Sequence, residues 1–346
     1  MALTGAAENA TASETDPANA NANAAQPRKA KALPPLAKLV GMIAGLGVIL
    51  FAMLMLFIMP SLKSGPHDLP VGVTGDSAAV ETFEQALENA APGAYEVQTL
   101  DSEAELTEAI RDREVVGGFA VTEAGVSAYT ASAGSAVISS TIAGTAKAIG
   151  GDVPVTDVVP LPAEDPTGIG IGGLAFPLVF GGIVPAVAFR KVFPRSLGWT
   201  VAGIASFAAI GGIAVAAVLM FSFGSITAGF WAVAGSMALG IAALGLPLAG
   251  LQEVFGGKGF TIGAMAMMFL GNPLAGISTT AAWLPAGLGI IGQILPPGAT
   301  GTLVRSAAYF GGSGGLVAAL TLVAWIVGGA VLLALGKRRA RRVAAE

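Results

Sequence analysis

Long apolar runs recur along the second half of this 346-residue chain, and one more lies near its start. A helix needs about 20 apolar residues to cross the hydrocarbon core of a bilayer. The pattern therefore predicts a polytopic α-helical membrane protein with six transmembrane helices. Their predicted bounds are Leu39–Met59, which stops at Pro60, then Gly168–Phe189, bent at Pro177 and Pro185, then Leu197–Phe221, Ile226–Ala249, a run that starts near Phe260, and Leu316–Leu335.

Residues 283–312 do not fit a simple crossing, although apolar runs surround them. The stretch from Trp283 to Leu295 is 13 residues long, which is too short to cross. Pro296, Pro297 and Gly298 then interrupt the helix, because proline lacks a backbone donor and clashes with the preceding turn. We predict a re-entrant helical hairpin that enters the outer leaflet and returns just before the last transmembrane helix. Backbone of this kind must be covered by protein or line a water-filled cavity.

The same pattern divides the chain into five regions. Residues 1–35, rich in Ala, Asn and Thr, have too few large apolar side chains to form a core, and we predict a disordered cytoplasmic tail. Residues 36–60 form the first transmembrane helix, and residues 61–166 form an extracytoplasmic domain. Residues 167–336 hold the other five transmembrane helices with the re-entrant segment, and residues 337–346 form a basic cytoplasmic tail.

Basic residues orient the helices, because Lys and Arg favour the cytoplasmic ends of transmembrane segments. With the N-terminus inside, 13 of the 18 basic residues lie inside: four before the first helix, three between the second and third, one between the fourth and fifth, and five in the tail. The five outside are Lys63, Arg111, Arg113, Lys147 and Arg305. We predict a multi-pass plasma-membrane protein with both termini in the cytoplasm.

Residues 61–166 alternate between strand-like and helix-like patterns, which predicts a small α/β or α+β domain. Strands are expected at 69–74, 95–100, 115–122 and 126–132, the last two as a hairpin, with an exit strand at 153–161. Helices are expected at 77–91, with Val80, Phe83 and Leu87 buried, after the capping box Ser102–Glu105, with Leu106, Ala109 and Ile110 buried, and at 133–149.

Composition limits the chemistry that this chain can perform. Only 12% of its residues are charged, against about 25% in soluble domains. The chain has no cysteine and a single histidine, His67, which argues against disulfides, thiolate chemistry and His-based zinc or triad sites. Gly257-Lys258-Gly259 lacks the Ser or Thr of a Walker A motif. We therefore expect no enzymatic activity, no metal and no cofactor in this chain.

The extracytoplasmic domain is strongly acidic. It has 17 Asp and Glu side chains between Asp68 and Asp165, and with the four basic residues that lie between the first two helices its net charge is −13. Such a charge argues against a nucleic-acid partner and against anionic lipid head groups on that side. It either attracts a cation or cationic partner or keeps the surface solvated. Solvation is the favoured interpretation, because the predicted helices place acidic side chains away from their apolar faces.

Three features among the apolar runs are candidates for function. Arg305 is an ionisable residue near a membrane segment, and such residues usually face an interior or a cavity. It either anchors an anionic head group, braces the re-entrant hairpin, or snorkels to the outer surface, the interpretation favoured here. Asn272-Pro273 is either a kink or an early stop of the fifth helix, or a hinge in a transport path. Gly168–Gly173 matches GxGxxG but opens a membrane helix, so close helix packing is the expected role.

The order of these regions resembles the membrane subunit of type-2 ABC exporters, and within them the YhgE/Pip (phage infection protein) branch. The likeness is carried by Gly271-Asn-Pro-Leu-Ala-Gly276, Trp283-Leu-Pro285, Gly292-Gln-Ile-Leu-Pro-Pro-Gly298 and Arg305-Ser-Ala-Ala-Tyr-Phe310. It covers roughly residues 36 to 337. The resemblance and the re-entrant prediction together give candidate residues of a substrate path or re-entrant segment: Asn272, Pro273, Gln293, Pro296, Pro297 and Arg305.

The resemblance implies export of an apolar or amphipathic substrate, driven by a separate ATPase subunit, by a homo- or heterodimer embedded in membrane lipid. The ATPase would contact the loop between the second and third helices, whose basic residues are Arg190, Lys191 and Arg195. That loop is short for a coupling helix. The alternative is an ATPase-free membrane scaffold whose acidic external domain binds cell-envelope partners.

Overall fold

The computed structural model describes residues 34–63, 65–194, 196–277, 280–285 and 287–343. Contacts divide the chain into two units, Met1–Phe51 and Ala52–Glu346. Within the described residues, five helical segments are long and apolar enough to cross a membrane, and a five-stranded sheet lies between the first two along the chain. The structure is that of a polytopic α-helical membrane protein, as the apolar runs predict. The segments are Pro35–Met55, Ile169–Val192, Leu197–Ser222, Phe230–Gly271 and Leu316–Arg339.

The first helix, α1, spans Pro35–Lys63. Its side chains from Leu36 to Phe51 are exposed on every side although nearly all are apolar, which is the pattern of a helix surrounded by lipid. The predicted stop at Pro60 is wrong, because α1 continues through it. A proline removes one backbone donor, and a membrane helix tolerates that loss with local adjustment. Of the predicted disordered tail, residues 1–33 lie outside the described residues.

Strands and helices alternate in a domain that we call the α/β domain, residues 69–157. The sheet has the order β2-β1-β3-β4-β5, with β1 parallel to β2 and β3, β3 and β4 forming an antiparallel hairpin, and β5 parallel to β4. The elements are β1 (Leu69–Gly75), α2 (Ser77–Ala90), β2 (Tyr95–Leu100), α3 (Glu103–Arg111), β3 (Gly117–Thr122), β4 (Gly125–Thr130), α4 (Ala136–Gly150) and β5 (Val155–Asp157). The predicted alternation is confirmed, although β5 is shorter than the exit strand expected at 153–161.

The predicted apolar faces form the core of the α/β domain. The buried faces of α2 and α3 consist of the residues that helical spacing predicts: Val80, Phe83 and Leu87 on α2, and Leu106, Ala109 and Ile110 on α3. The capping box of α3 is confirmed, since Ser102 Oγ accepts from the Glu105 amide at 3.1 Å. The Glu105 carboxylate accepts in return from the Asp101 amide at 2.8 Å. This bond reaches one residue further back than the usual motif.

The second half of the chain is almost entirely helical. Its helices are α5 (Ile169–Gly172), α6 (Ala175–Val192), α7 (Leu197–Ala217), α8 (Phe230–Ala266), α9 (Leu288–Ile294), α10 (Pro296–Tyr309) and α11 (Leu316–Val343). A π-helical turn, Val218–Ser222, extends α7, and another, Met267–Gly271, extends α8. The predicted tail at 337–346 is helical as far as Val343, since basic residues at a helix C-terminus are favoured by its dipole.

Two predicted boundaries differ from the structure. The second apolar run breaks at Gly173 and Leu174, between α5 and α6, whereas Pro177 occupies the first turn of α6, where its missing N–H has no intrahelical partner to lose. The fourth run starts at Phe230 instead of Ile226. Gly229 precedes it with φ 69°, a left-handed conformation that glycine adopts without steric cost.

The fourth and fifth predicted runs form one helical element that reverses direction at Gly256. This residue has φ 68° and ψ −159°, which no helix accommodates. A Cβ at Gly263 would lie 2.6 Å from the Leu251 side chain. In a straight helix those two residues would be about 18 Å apart. The arms 230–255 and 257–271 therefore lie side by side, and no separate loop joins them.

Helix α8 is the centre of the helical bundle, because α6, α7, α10 and α11 all pack on it. Glycines allow the closest approaches: a Cβ at Gly212 of α7 would overlap the Ala234 carbonyl oxygen, and one at Gly240 would overlap Thr300. The glycines of the apolar runs predict close helix packing at Gly41, Gly45, Gly235, Gly240 and Gly245. This prediction is confirmed for Gly240 and Gly245, whereas Gly41, Gly45 and Gly235 meet no atom within 4 Å in the described structure.

Candidate functional site

Residues 272–277, which we call the broken segment, follow the second π-helical turn and are not helical. They lie against the helical hairpin formed by α9 and α10. A Cβ at Gly292 of α9 would overlap the Leu274 carbonyl oxygen, and one at Gly301 of α10 would lie 2.5 Å from Ile277. The missing side chains thus let α9 touch the backbone of the broken segment and let α10 pack directly on its Ile277 side chain.

Polar side chains of the hairpin donate to carbonyl groups of the broken segment. Gln293 Nε2 donates to the Ala275 carbonyl oxygen at 3.2 Å, and Gln293 Oε1 accepts from the Thr302 hydroxyl at 2.7 Å. Arg305 Nη2 donates to the Ile277 carbonyl oxygen at 2.6 Å. A buried carbonyl group without a donor costs about 1–3 kcal/mol. Gln293 and Arg305 therefore supply the donors that backbone amides would have supplied to these carbonyl groups in a continuing helix.

The structure brings the predicted path residues together around this segment. Asn272 and Pro273 form its first turn, in which the Ala275 amide donates to the Asn272 carbonyl oxygen at 3.3 Å. Pro297 packs on Gly271, about 3.0 Å from the position of a Cβ there. Pro296 and Pro297 occupy the first positions of α10, where proline is favoured. They therefore start a helix as well as ending the preceding one.

The burial of Arg305 contradicts the interpretation that was favoured from the sequence. Its exposed fraction is 8%, so it does not snorkel to the surface, which was the favoured expectation. Its bond to Ile277 makes it a brace for the hairpin, which was one of the alternatives. Within the described part of the chain the sole ion pair is Arg190–Glu253. No carboxylate there lies within 4.0 Å of the Arg305 guanidinium.

The α/β domain holds the helical hairpin at both ends. Trp283, just before α9, packs against the core that contains Phe119, and its carbonyl oxygen accepts from the Gly65 amide at 3.3 Å. Phe310, just after α10, packs into the core that contains Leu106. The Arg113 guanidinium lies 5.0 Å from the centre of the Phe310 ring, and burial lowers the pKa of Arg113. The hairpin and the α/β domain therefore form a continuous packed structure.

The tip of the hairpin lies well along the last helix. Trp325 Nε1 donates to the Ile294 carbonyl oxygen at 2.8 Å. Trp325 is nine residues after Leu316, the first residue of α11, and this corresponds to about 14 Å along the helix axis. Residue Ser313, just before α11, donates to Asp112 of the α/β domain at 3.1 Å. The tip is thus about 14 Å further from the α/β domain than the start of α11.

A groove of about 750 Å³ lies between α5–α6 and the end of α7. Residues 169–177 line one wall and residues 214–225 the other, with Leu174, Val218 and Phe223 among the apolar side chains. Glu164 and Asp165 close one end. This groove has the size and mostly apolar lining of a ligand pocket.

The two acids at the end of the groove have different roles. Asp165 is 7% exposed, and its carboxylate accepts from the Ile169 and Gly170 amides at 2.9 and 2.8 Å, which caps α5. Glu164 is exposed. Beside them the Ser225 hydroxyl is buried and has no hydrogen-bond partner among the described residues. Tyr309 of α10 donates to the Ser225 carbonyl oxygen at 2.7 Å, which joins the groove to the hairpin.

The basic residues of the predicted coupling loop are not equivalent. Arg190 pairs with Glu253 of α8 at 2.5 Å, so its charge is already matched within the chain. Lys191 is exposed at the end of α6. Arg195 lies outside the described residues. The turn between α6 and α7 spans only residues 193–196, as the short loop in the sequence predicts.

Sequence reasoning missed the groove and the contact between the hairpin and the α/β domain. Both depend on residues far apart in the chain, such as Tyr309 with Ser225 and Phe310 with Arg113. One signal was present: Glu164 and Asp165 stand directly before an apolar run, where Asp commonly caps a helix. Within the described residues, no group of three or more His, Cys, Asp and Glu side chains could hold a metal ion.

The hydrogen bonds of Gln293 can be tested with a matched pair of substitutions. Gln293→Leu leaves the Ala275 carbonyl and the Thr302 hydroxyl without their partner, and we expect it to destabilise the protein by about 1–3 kcal/mol. Gln252→Leu is the control, since the Gln252 Oε1 atom is buried without a partner among the described residues, and we expect no loss of stability. Thermal unfolding in detergent, followed by tryptophan fluorescence, measures both. Equal melting temperatures for the two variants would contradict the bracing role.

No protein-family model, no curated protein and no solved structure matches this chain. The functional interpretation therefore depends on the contacts of its own residues.

Proposed function

We propose that the chain crosses the membrane six times and that α9–α10 is a re-entrant hairpin. The reversal at Gly256 supports counting α8 as two crossings, the arms 230–255 and 257–271. The second arm is 15 residues, about 22 Å long, and the broken segment continues from it toward Trp283 at the α/β domain. The hairpin tip, about 14 Å along α11, corresponds to roughly half of a 30 Å hydrocarbon core.

The proposed orientation places the α/β domain outside the cell and both termini in the cytoplasm. The distribution of Lys and Arg supports it. Lys258 lies at the reversal of α8, and the basic C-terminal end of α11 lies on the same side, since the Arg339 guanidinium is 3.5 Å from the Val254 carbonyl oxygen. The α/β domain lies at the opposite end of α11, beside Ser313.

The lack of cysteine permits a direct test of this topology. We introduce single cysteines at exposed positions, Glu108→Cys in the α/β domain, Lys258→Cys and Lys337→Cys. With six crossings, a membrane-impermeant maleimide labels only the first in intact cells and labels all three after permeabilisation. Labelling of Lys337→Cys from outside would mean an odd number of crossings and would refute the proposed topology.

We propose further that the chain is the membrane subunit of an exporter, as its resemblance to type-2 ABC permeases of the YhgE/Pip branch suggests. The observation that carries this proposal is the groove between α5–α6 and α7. In the proposed orientation it opens in the outer half of the membrane, with its acidic end at the level of the α/β domain. A groove of this kind suits a substrate with an apolar chain and a polar head.

The charges of the residues that line the groove indicate which head group it would bind. Glu164 and Asp165 are the ionisable residues that line it, and both are acidic. A cationic head group would gain attraction there, whereas an anionic one would be repelled. The proposed substrate class is therefore an amphipathic cation, and the apolar walls would hold its chain.

The groove contacts the hairpin and the α/β domain through Tyr309. Tyr309 bonds the Ser225 carbonyl at the groove and belongs to α10. It also packs against the core of the α/β domain that contains Phe310. A substrate that displaces Ser225 would therefore act on the hairpin and on the α/β domain through a single side chain.

The groove can be tested with a photoactivatable single-chain quaternary ammonium amphiphile, compared with an alkyl sulfate of equal length. We expect the cation to label the groove and Ala214→Trp to block the labelling, because Ala214 lines the groove. Glu164→Gln should weaken cation labelling by about fivefold, the loss of roughly 1 kcal/mol from an exposed charge.

The control for this experiment is Ile210→Trp, which adds the same bulk on α7 at a residue that is 68% exposed and does not line the groove. It should leave the labelling unchanged. Equal labelling by the cation and the sulfate, or equal loss in both tryptophan variants, would rule out the groove as a site for amphipathic cations.

The energy source in this proposal is a separate ATPase subunit, and the permease would act as a homo- or heterodimer. One observation favours the alternative, an ATPase-free scaffold whose acidic domain binds envelope partners. The Arg190–Glu253 pair leaves Lys191 as the exposed basic residue of the described loop, which is a small contact surface for an ATPase.

Affinity purification in gentle detergent separates the two alternatives. For the permease we expect a stoichiometric partner that contains a nucleotide-binding P-loop, and we expect Lys191→Glu to release it by reversing the exposed charge. Lys147→Glu, on the α/β domain, is the matched control and should retain it. Mass spectrometry of the bound proteins gives the result. Envelope proteins without a P-loop partner would support the scaffold and refute the permease.

A further inference from the structure

Two arginine side chains at the junction of the α/β domain and the hairpin have no acidic partner in contact. Arg305 is 8% exposed and makes one hydrogen bond, to a carbonyl group. Arg113 Nη1 is buried without a hydrogen-bond partner among the described residues. Arg190–Glu253 is the one ion pair among the described residues. Neither the Arg113 nor the Arg305 guanidinium therefore has a described carboxylate within 4.0 Å. Buried charges are usually paired.

The two side chains approach the same short segment of the α/β domain from different sides. Arg113 lines a cavity of about 80 Å³, and Arg305 lines one of about 20 Å³. Gly134 and Ser135 line both cavities. The positive charges of Arg113 and Arg305 also repel each other.

The segment between the arginines adds further positive potential. Helix α4 begins at Ala136 with Ser135 as its N-cap, so the positive end of a 15-residue helix faces both cavities. The Ser132 and Ser135 hydroxyl oxygens accept from the amides of Leu161 and Ile138. Each hydroxyl keeps a proton that it can donate.

The nearest acids on the surrounding elements are engaged elsewhere. Asp157 accepts from the Ser132 amide at 3.1 Å. Asp165 caps α5, and Asp112 accepts from Ser313. All three are outside the 4.0 Å distance of an ion pair with either arginine.

The backbone of Arg113 is strained at this point. Its φ is 62°, a left-handed conformation in which few residues other than glycine are found. Such a conformation is strained and is often found at functional sites. Here it turns the Arg113 side chain over Phe310 and into the junction.

We infer that this junction binds a small inorganic anion in the cavity of about 80 Å³ beside Arg113, at the N-terminus of α4. The Arg113 guanidinium and the Ser135 hydroxyl donate to the anion, and Arg305, which lines the neighbouring cavity together with Gly134 and Ser135, adds positive potential. The anion is a small solute rather than a lipid head group, because a cavity of this volume accommodates only a few water-sized occupants.

The bound anion joins the α/β domain to the hairpin. Arg113 and Ser135 belong to the α/β domain, whereas Phe310, which lines the same cavity, directly follows the hairpin. Anion binding therefore stabilises the contact between the two, and its loss loosens that contact. The inference holds for a permease and for a scaffold alike, since it does not depend on the groove or on an ATPase.

The test uses the purified full-length protein in detergent at constant ionic strength. Chloride, bromide or phosphate replaces gluconate, which is too large for these cavities. We expect the melting temperature to rise with the concentration of at least one small anion and to saturate, as for a ligand that binds the folded state. A rise that does not saturate, or that is equal in gluconate, overturns the inference.

Substitutions of single arginine residues test where the anion binds. Arg113→Gln should weaken the apparent anion affinity by about tenfold or more, because it removes a charged donor. Arg113→Lys keeps the charge and should retain part of the affinity. Arg111→Gln, at the exposed last residue of α3 and two residues before Arg113, is the control and should bind normally. An unchanged affinity in Arg113→Gln, or anomalous scattering from bromide at other places only, contradicts the site.

Discussion

The constraint on which the rest of this structure depends is the need to satisfy backbone carbonyl groups where a helix ends inside a protected environment. The second arm of α8, with the π-helical turn that extends it, ends at Gly271, and the next six residues are not helical. In the proposed topology this happens in the outer half of the membrane, where water cannot replace the lost bonds. Gln293 and Arg305 donate instead. The hairpin α9–α10 is therefore required by the broken segment, and Arg305 is buried because the carbonyl group it serves is buried.

This requirement also explains particular glycines of the hairpin, among the 49 of the chain. Donors on the hairpin reach the broken segment only at close approach, which Gly292 allows against the Leu274 backbone and Gly301 against the Ile277 side chain. The same solution recurs in the bundle, where Gly212 and Gly240 bring α7 and α10 against α8. In a lipid environment, where burial of apolar surface gives little driving force, close packing of this kind is a main source of association between helices.

The sequence predicted the α/β domain better than the helical bundle, and the reason is physical. In the α/β domain one face of each helix is buried and the other is exposed to solvent. The helical spacing of Val80, Phe83 and Leu87 therefore identifies them as core residues. In the bundle both lipid-facing and buried positions are apolar, and the spacing carries no such signal. The reversal at Gly256 depends on backbone angles that glycine permits but does not require. The burial of Arg305 depends on Ile277, 28 residues earlier in the chain, and no local pattern predicts it.

The positions of Arg113 and Arg305 follow from the contacts between the α/β domain and the hairpin. The α/β domain has a net negative surface, yet the two arginines at its base face inward, toward the hairpin. Their position is costly unless something balances it, and the described acids nearby are already bonded to other groups. A domain held to the hairpin only by apolar contacts would offer no site at which a small anion could bind and regulate the contact. One held by Trp283 and Phe310 together with an exchangeable anion could instead be tightened or loosened by a solute. Because Tyr309 lies at the same junction and bonds Ser225 in the groove, such loosening would reach the proposed substrate site directly.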